Sequence, residues 1–209
     1  MRGHETRMTD LRVLPSAGFR PQPWKNGHGT TAEIAQGPGG DAWAWRLSIA
    51  DSEVSARFSH FEGIDRHLVL LDGAGLDLEF DDGELISLRA PLATARFAGE
   101  RAVTGAPFDG PTSQLNVMWS RDRISTELSV RSLTGTTTLD LRPGASTFLV
   151  VADGSLAAGP DGAELLAGDV AMAHADRPGD SLTLVGDAHV VIGTFHEGSA
   201  GDPTRLRPR

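Results

Sequence analysis

Hydrophobic and polar positions along this chain alternate in short runs, and the runs break at glycine–aspartate pairs. Residues 43–50 (WAWRLSIA) put Trp43, Trp45, Leu47 and Ile49 on one side and Ala44, Arg46, Ser48 and Ala50 on the other. That period of two is the signature of a strand. Residues 67–71 (HLVLL) form a short buried run that ends at Asp72-Gly73. Residues 76–80 alternate again, and Asp81-Asp82-Gly83 turns the chain into residues 85–88. Turns of this kind between apolar runs predict a three-strand meander. Residues 115–119 (LNVMW) predict another strand, with Gln114, Asn116 and Met118 on one face and Leu115, Val117 and Trp119 on the other. Residues 30–35 suit a helix or a strand, and β-branched Thr31 and Ile34 favour the strand. The second half repeats the style. Residues 146–151 (STFLVV) run to a turn at Ala152-Asp153-Gly154, residues 164–172 contain a Gly168-Asp169 turn, and residues 181–185 and 189–195 are joined by Gly186-Asp187. Strands at roughly 8–12-residue spacing predict a sandwich or barrel. The two halves echo each other. An all-β chain is expected, with a first barrel over residues 10–120, a second over 121–198 (strands exchanged between them allowed), and a loosely held tail over 199–209.

Composition narrows the function classes. The 209 residues suffice for a sizeable core without staples. There is no cysteine, which excludes disulfides and thiolate metal sites. A formal net charge of −9 argues against nucleic acid or an anionic membrane surface as partner. No apolar run approaches the roughly 18 residues of a membrane span. The opening MRGHETRMTD has no apolar core of a signal peptide. A cytoplasmic protein is expected, and a homodimer is compatible with all of this.

Candidate chemistry begins with metal. None of the seven histidines sits two residues from another, the spacing that puts two imidazoles on one strand face. A metal site is therefore not expected, and no cofactor is expected. There is no Gly-x-Ser-x-Gly elbow, and PWKNGHGTT lacks the Gly-Lys-Ser/Thr ending of a phosphate loop. A cationic constellation is better founded. Arg46 and Ser48 share a strand face opposite tryptophan, and Arg66 opens the buried run 67–71. An inward arginine needs a carboxylate, from the protein or from a ligand. Against this stands the plain alternative that Arg46 is solvated and that Asp65 and Arg66 form a surface pair. If Lys25, Arg46 and Arg66 converge, they suit a small carboxylate, with Asn26, Thr31, Ser48 and Asn116 adding neutral hydrogen bonds.

Three stretches in register carry a resemblance: PWKNGHGTTAEIA from Pro23, WRLSIADSEVSARFSHFEGIDRHLVLLDGAGLDL from Trp45, and PFDGPTSQLNVM from Pro107. Together they resemble the HutD/Ves family over about residues 11–120, with the rest matching by length and β pattern. The resemblance implies a bicupin: two cupin-type jelly-roll units in one chain, without the metal-binding histidine motif. It implies a role in histidine utilisation through binding of a small carboxylate such as formylglutamate or urocanate, whereas the Ves branch is linked to stress. No catalytic activity is firmly implied, so no catalytic residue is assigned. A metal-independent isomerase, lyase or hydrolase using Glu33, Asp65 or His28 is the alternative; a metal-dependent cupin oxygenase and a purely protein-contacting barrel are further ones. The family motif falls here on Trp24, Lys25, Asn26, Thr30, Thr31, Glu33, Trp45, Arg46, Ser48, Asp65, Arg66, Asn116 and Met118. This chain departs from the family pattern at His28, at Ala56-Arg57 and at Gln114-Leu115. His28 is expected to narrow the glycine loop, and Gln114 to remove an anion. Gly27 and Gly29 are read as letting the backbone approach a ligand.

Overall fold

A computed structural model describes residues 10–24, 27–37 and 43–197. Apart from a 3-10 turn at Ser16–Gly18, the regular structure of these residues is all β. The chain divides into two compact units, one formed by Phe19–Ser125 and the other by the chain up to Gly18 together with Thr126–His196.

In the first unit the strands are β2 (Gln22–Pro23), β3 (Gly29–Gln36), β4 (Trp45–Ser52), β5 (Ala56–Arg57), β6 (Ile64–Asp72), β7 (Leu76–Phe80), β8 (Leu85–Leu88), β9 (Thr94–Ala98), β10 (Val103–Pro107) and β11 (Thr112–Ser120). They form a six-stranded sheet, β2-β3-β4-β11-β6-β9, and a four-stranded sheet, β5-β10-β7-β8. The sheets meet at one apolar cluster of Leu68, Leu70, Leu76, Leu78, Phe80, Leu88, Ala95, Phe97 and Val103. The strand expected over residues 30–35 is β3, and those over 76–80 and 85–88 are β7 and β8 with the same ends.

The second unit uses β1 (Asp10–Leu14), β12 (Ile124–Leu133), β13 (Thr136–Asp140), β14 (Ser146–Ala158), β15 (Ala163–Leu166), β16 (Val170–His174) and β17 (Ser181–Glu197). Their order is β1-β16-β14-β17-β12, with β13 on β17 and β15 on β14. β1, the first strand among the described residues, pairs with β16 and so belongs to the later unit. The interior is filled by Leu149, Val151, Leu156, Leu165, Leu184, Val190, Ile192 and their apolar neighbours.

Two expected turns are not turns. Ala152-Asp153-Gly154 and Gly186-Asp187 lie inside the long strands β14 and β17, which pair through both positions with a register shift near Val151. Gly154 and Gly186 have positive φ of 83° and 139°. The register shift beside Asp153 is a bulge, and Gly186 pairs in regular register with Leu156, so neither glycine ends its strand.

Candidate functional site

Strand parity builds the site. Cα pairing sets Arg46 beside Met118, Ser48 beside Asn116 and Ala50 beside Gln114, with Arg66 flanking Met118 from the other edge. Residues directly opposite share a face, so these side chains project together from the six-stranded sheet. Their strand neighbours Trp45, Leu47, Val117 and Trp119 are buried on the reverse face. The projecting set lines a cavity of about 860 Å³, together with Thr31, Glu33, Phe58 and Phe61.

Of the residues expected to bind a ligand, Thr31, Arg46, Ser48, Arg66 and Asn116 line this cavity. Lys25 and Asn26 lie outside the described residues. The surface-pair alternative for Asp65 and Arg66 falls to the burial, whereas Arg46 is partly exposed, its side chain 23% accessible. Asp65 is 0% exposed, Arg66 6%, and as sequence neighbours in a strand they point to opposite faces. Asp65 meets Arg121 at 3.0 Å and Arg96 at 3.4 Å. It does not neutralise Arg66.

Arg66 is held otherwise. Its Nη2 donates to Asn116 Oδ1 at 2.6 Å. Its guanidinium lies over the rings of Phe58 and Phe97, 4.8 and 5.2 Å from their centroids. Its Nε has no hydrogen-bond partner. Among the described residues no carboxylate pairs with it. Desolvation, and then the nearby charge of Arg46, push its pKa down to about 10, so the group is still cationic at neutral pH. Among the described residues Arg46 has one carboxylate partner, Glu33, whose Oε2 is 3.2 Å from Arg46 Nε. The buried Nε makes no well-directed hydrogen bond, so the contact is mainly Coulombic. A buried guanidinium whose hydrogen-bond partner is a neutral amide is an incomplete arrangement. It brings to the cavity wall a charge with no carboxylate partner among the described residues, an arrangement that suits an anion.

The neighbouring polar groups are satisfied. Thr112 Oγ1 donates to Gln114 Oε1 at 3.1 Å, and Gln114 Nε2 donates to Ser52 Oγ at 2.9 Å. Gln114 thus adds no charge to the wall. At the rim, Arg57 is bound to Asp81 at 2.9 Å and is exposed. Trp24 Nε1 donates to Thr31 Oγ1 at 2.8 Å, tying the opening loop to β3. The glycines of that loop have structural causes. Gly27 N bonds to Trp24 O at 3.0 Å with φ of 73°, a turn. A side chain on Gly29 would collide with Asp51 O and the Trp24 ring. His28 is exposed and is not part of the cavity wall.

Sequence reading left Phe58, Phe61 and Arg57 out of the site, and named Glu33 as a motif residue and as a candidate acid or base but not among the ligand-binding residues. Glu33 could have been found by parity with Thr31; the aromatic residues lie outside the strands and carried no such signal. Among the described residues, no group of three or more His, Asp or Glu side chains could hold a metal ion, and no helix is long and apolar enough to cross a membrane.

The molecule is therefore a cupin-like β protein with an arginine-bearing cavity inside one of its two units. It belongs to the HutD family, whose profile matches residues 16–192. It is 36% identical over 123 residues to an uncharacterized 21.2 kDa protein from the hutC 3' region of Pseudomonas putida, covering 58% of this chain and 64% of that one. It is 34% identical over 130 residues to protein Ves of Citrobacter koseri, covering 61% and 65%. The matched segments thus span just under two thirds of these curated relatives. The solved structure of HutD from Pseudomonas fluorescens SBW25, in a formate condition, superposes with a TM-score of 0.79 at 25% identity, covering 90% of this chain and 100% of that one.

Proposed function

We propose that this protein is a bicupin that binds a small carboxylate metabolite of histidine utilisation and moderates that pathway without catalysing a step of it. The observation that carries the reading is Arg66: a buried, charged cavity-lining residue whose hydrogen-bond partner is a neutral amide and which has no carboxylate partner among the described residues. A carboxylate would supply the missing counter-charge and accept in bidentate fashion. Asn116 positions the guanidinium, Ser48 stands ready to donate a hydroxyl hydrogen, and Arg46 adds a second positive charge. Phe58, Phe61 and Met118 offer apolar wall to the ligand's body. The relative's place in the hutC region supports the link to histidine utilisation.

The test is thermal denaturation in the presence of histidine, urocanate, formiminoglutamate, formylglutamate, glutamate and formate. A ligand at about 100 times its dissociation constant stabilises by about 2.7 kcal/mol. A shift with one pathway acid, with that acid recovered unchanged, supports the reading. Conversion of the acid would replace it with catalysis, and no shift with any acid would remove it.

A further inference from the structure

The geometry points to Glu33 as a specificity-determining residue that admits carboxylates carrying an N–H donor and disfavours those without one. The inference rests on the carboxylate reading above and concerns the same cavity. Glu33 lines the cavity beside Arg46 and Arg66, yet it is an anion. A site shaped only for anions would not place a carboxylate there, since like charges repel.

Its position is built. β3 pairs with β4 in register from Gly29 to Glu33, and the register then shifts, so that Gln36 rather than Ala35 stands opposite Arg46. The extra residue is a bulge, the device that re-aims side chains next to sites. One oxygen, Oε2, faces Arg46 Nε at 3.2 Å, and the Glu33 side chain is 48% exposed. The other oxygen, Oε1, has no hydrogen-bond partner among the described residues. An incoming carboxylate on Arg66 and Arg46 therefore meets a second carboxylate, whose Oε1 is an acceptor not used by any described residue. A ligand N–H placed near the acid group satisfies that oxygen. A ligand with only apolar or acceptor atoms there suffers the repulsion without compensation.

The test is titration calorimetry with N-acetylglycinate and N-acetylsarcosinate, which differ in whether the amide nitrogen bears hydrogen or methyl. Wild type is expected to bind the N–H compound about tenfold tighter, the discrimination of one charge-assisted hydrogen bond. In Glu33→Leu the ratio should fall to near unity, and N-acetylsarcosinate should bind more tightly than it does to wild type. Glu33→Gln, a near-isosteric change at a half-exposed side chain, should lie between and guards against misfolding of the leucine variant. Equal binding of both compounds to wild type, or an unchanged ratio in the variants, overturns the inference while leaving the carboxylate reading intact. Failure of both compounds to bind wild type would count against the carboxylate reading and take this inference with it.

Discussion

Along β14 and β17 the interior of the later unit is Leu149, Val151, Leu156, Val190 and Ile192. Along β4, β6 and β11 the same role in the earlier unit falls partly to Arg46, Ser48, Arg66, Gln114 and Asn116, which line a cavity. Both interiors obey period-two alternation, and both are walled by antiparallel strands. The difference lies in what the inward positions contain. A filled apolar interior gives stability through burial at about 25 cal/mol per Å². An interior with an incompletely paired arginine gives up some of that, and in the function proposed above it gains a place for an anion. One unit is organised for cohesion, and the other keeps its polar groups where a ligand can reach them.

The comparison breaks most sharply at Leu149, which is 1% exposed in the filled interior. Leu149→Ala should cost about 2–5 kcal/mol in urea unfolding, because the cavity left behind has no ligand to fill it. A loss below 1 kcal/mol would mean this interior is not tightly packed. A second test concerns acid. His67 lies on β6, opposite Arg96 on β9, and burial, then the charge of Arg96, lower its pKa from 6.5 to about 4. The unfolded chain therefore takes up this proton near 6.5 and the folded one only near 4. Between those values the unfolded state holds more protons, so stability falls as pH falls and levels off below about 4. The linkage amounts to as much as about 3 kcal/mol, and His67→Gln should flatten that part of the stability–pH curve.

Arg66→Met sharpens the contrast from the other side. Replacing an incompletely paired buried charge by an apolar side chain should raise the stability of the ligand-free protein by about 1–2 kcal/mol. Its melting temperature would rise as anion binding disappears; a large fall would show that Arg66 is a structural residue. The smallest effect is expected at the rim. Arg57→Ala removes an exposed pair with Asp81 and should change stability by less than about 1 kcal/mol.

Much of this contrast was legible in the residues. The alternation of residues 43–50 put Arg46 and Ser48 opposite tryptophan, and that of residues 115–119 put Gln114, Asn116 and Met118 together. Those parities are the cavity wall. What stayed hidden depends on distance along the chain. The pairing of β1 with β16 joins residues far apart in sequence, and no local pattern encodes it. Asp153-Gly154 and Gly186-Asp187 look like turns, yet both lie within one long strand pair, Asp153-Gly154 opposite Ala188-His189 and Gly186-Asp187 opposite Ser155-Leu156. A glycine with positive φ serves a turn or a bulge equally well, and the partner strand decides which. Nor could local pattern say whether Asp65 or a ligand answers Arg66, because that depends on Arg121 reaching Asp65 from beyond β11.

The most direct measurement is calorimetric titration of the wild-type protein and Arg66→Met with the acid that gives the largest thermal shift. Saturable one-site binding to wild type, weakened at least about a hundredfold in Arg66→Met, is the predicted result, as expected when a buried charge-assisted contact is lost. Equal affinity for the two proteins would show that the open guanidinium is not where the carboxylate binds.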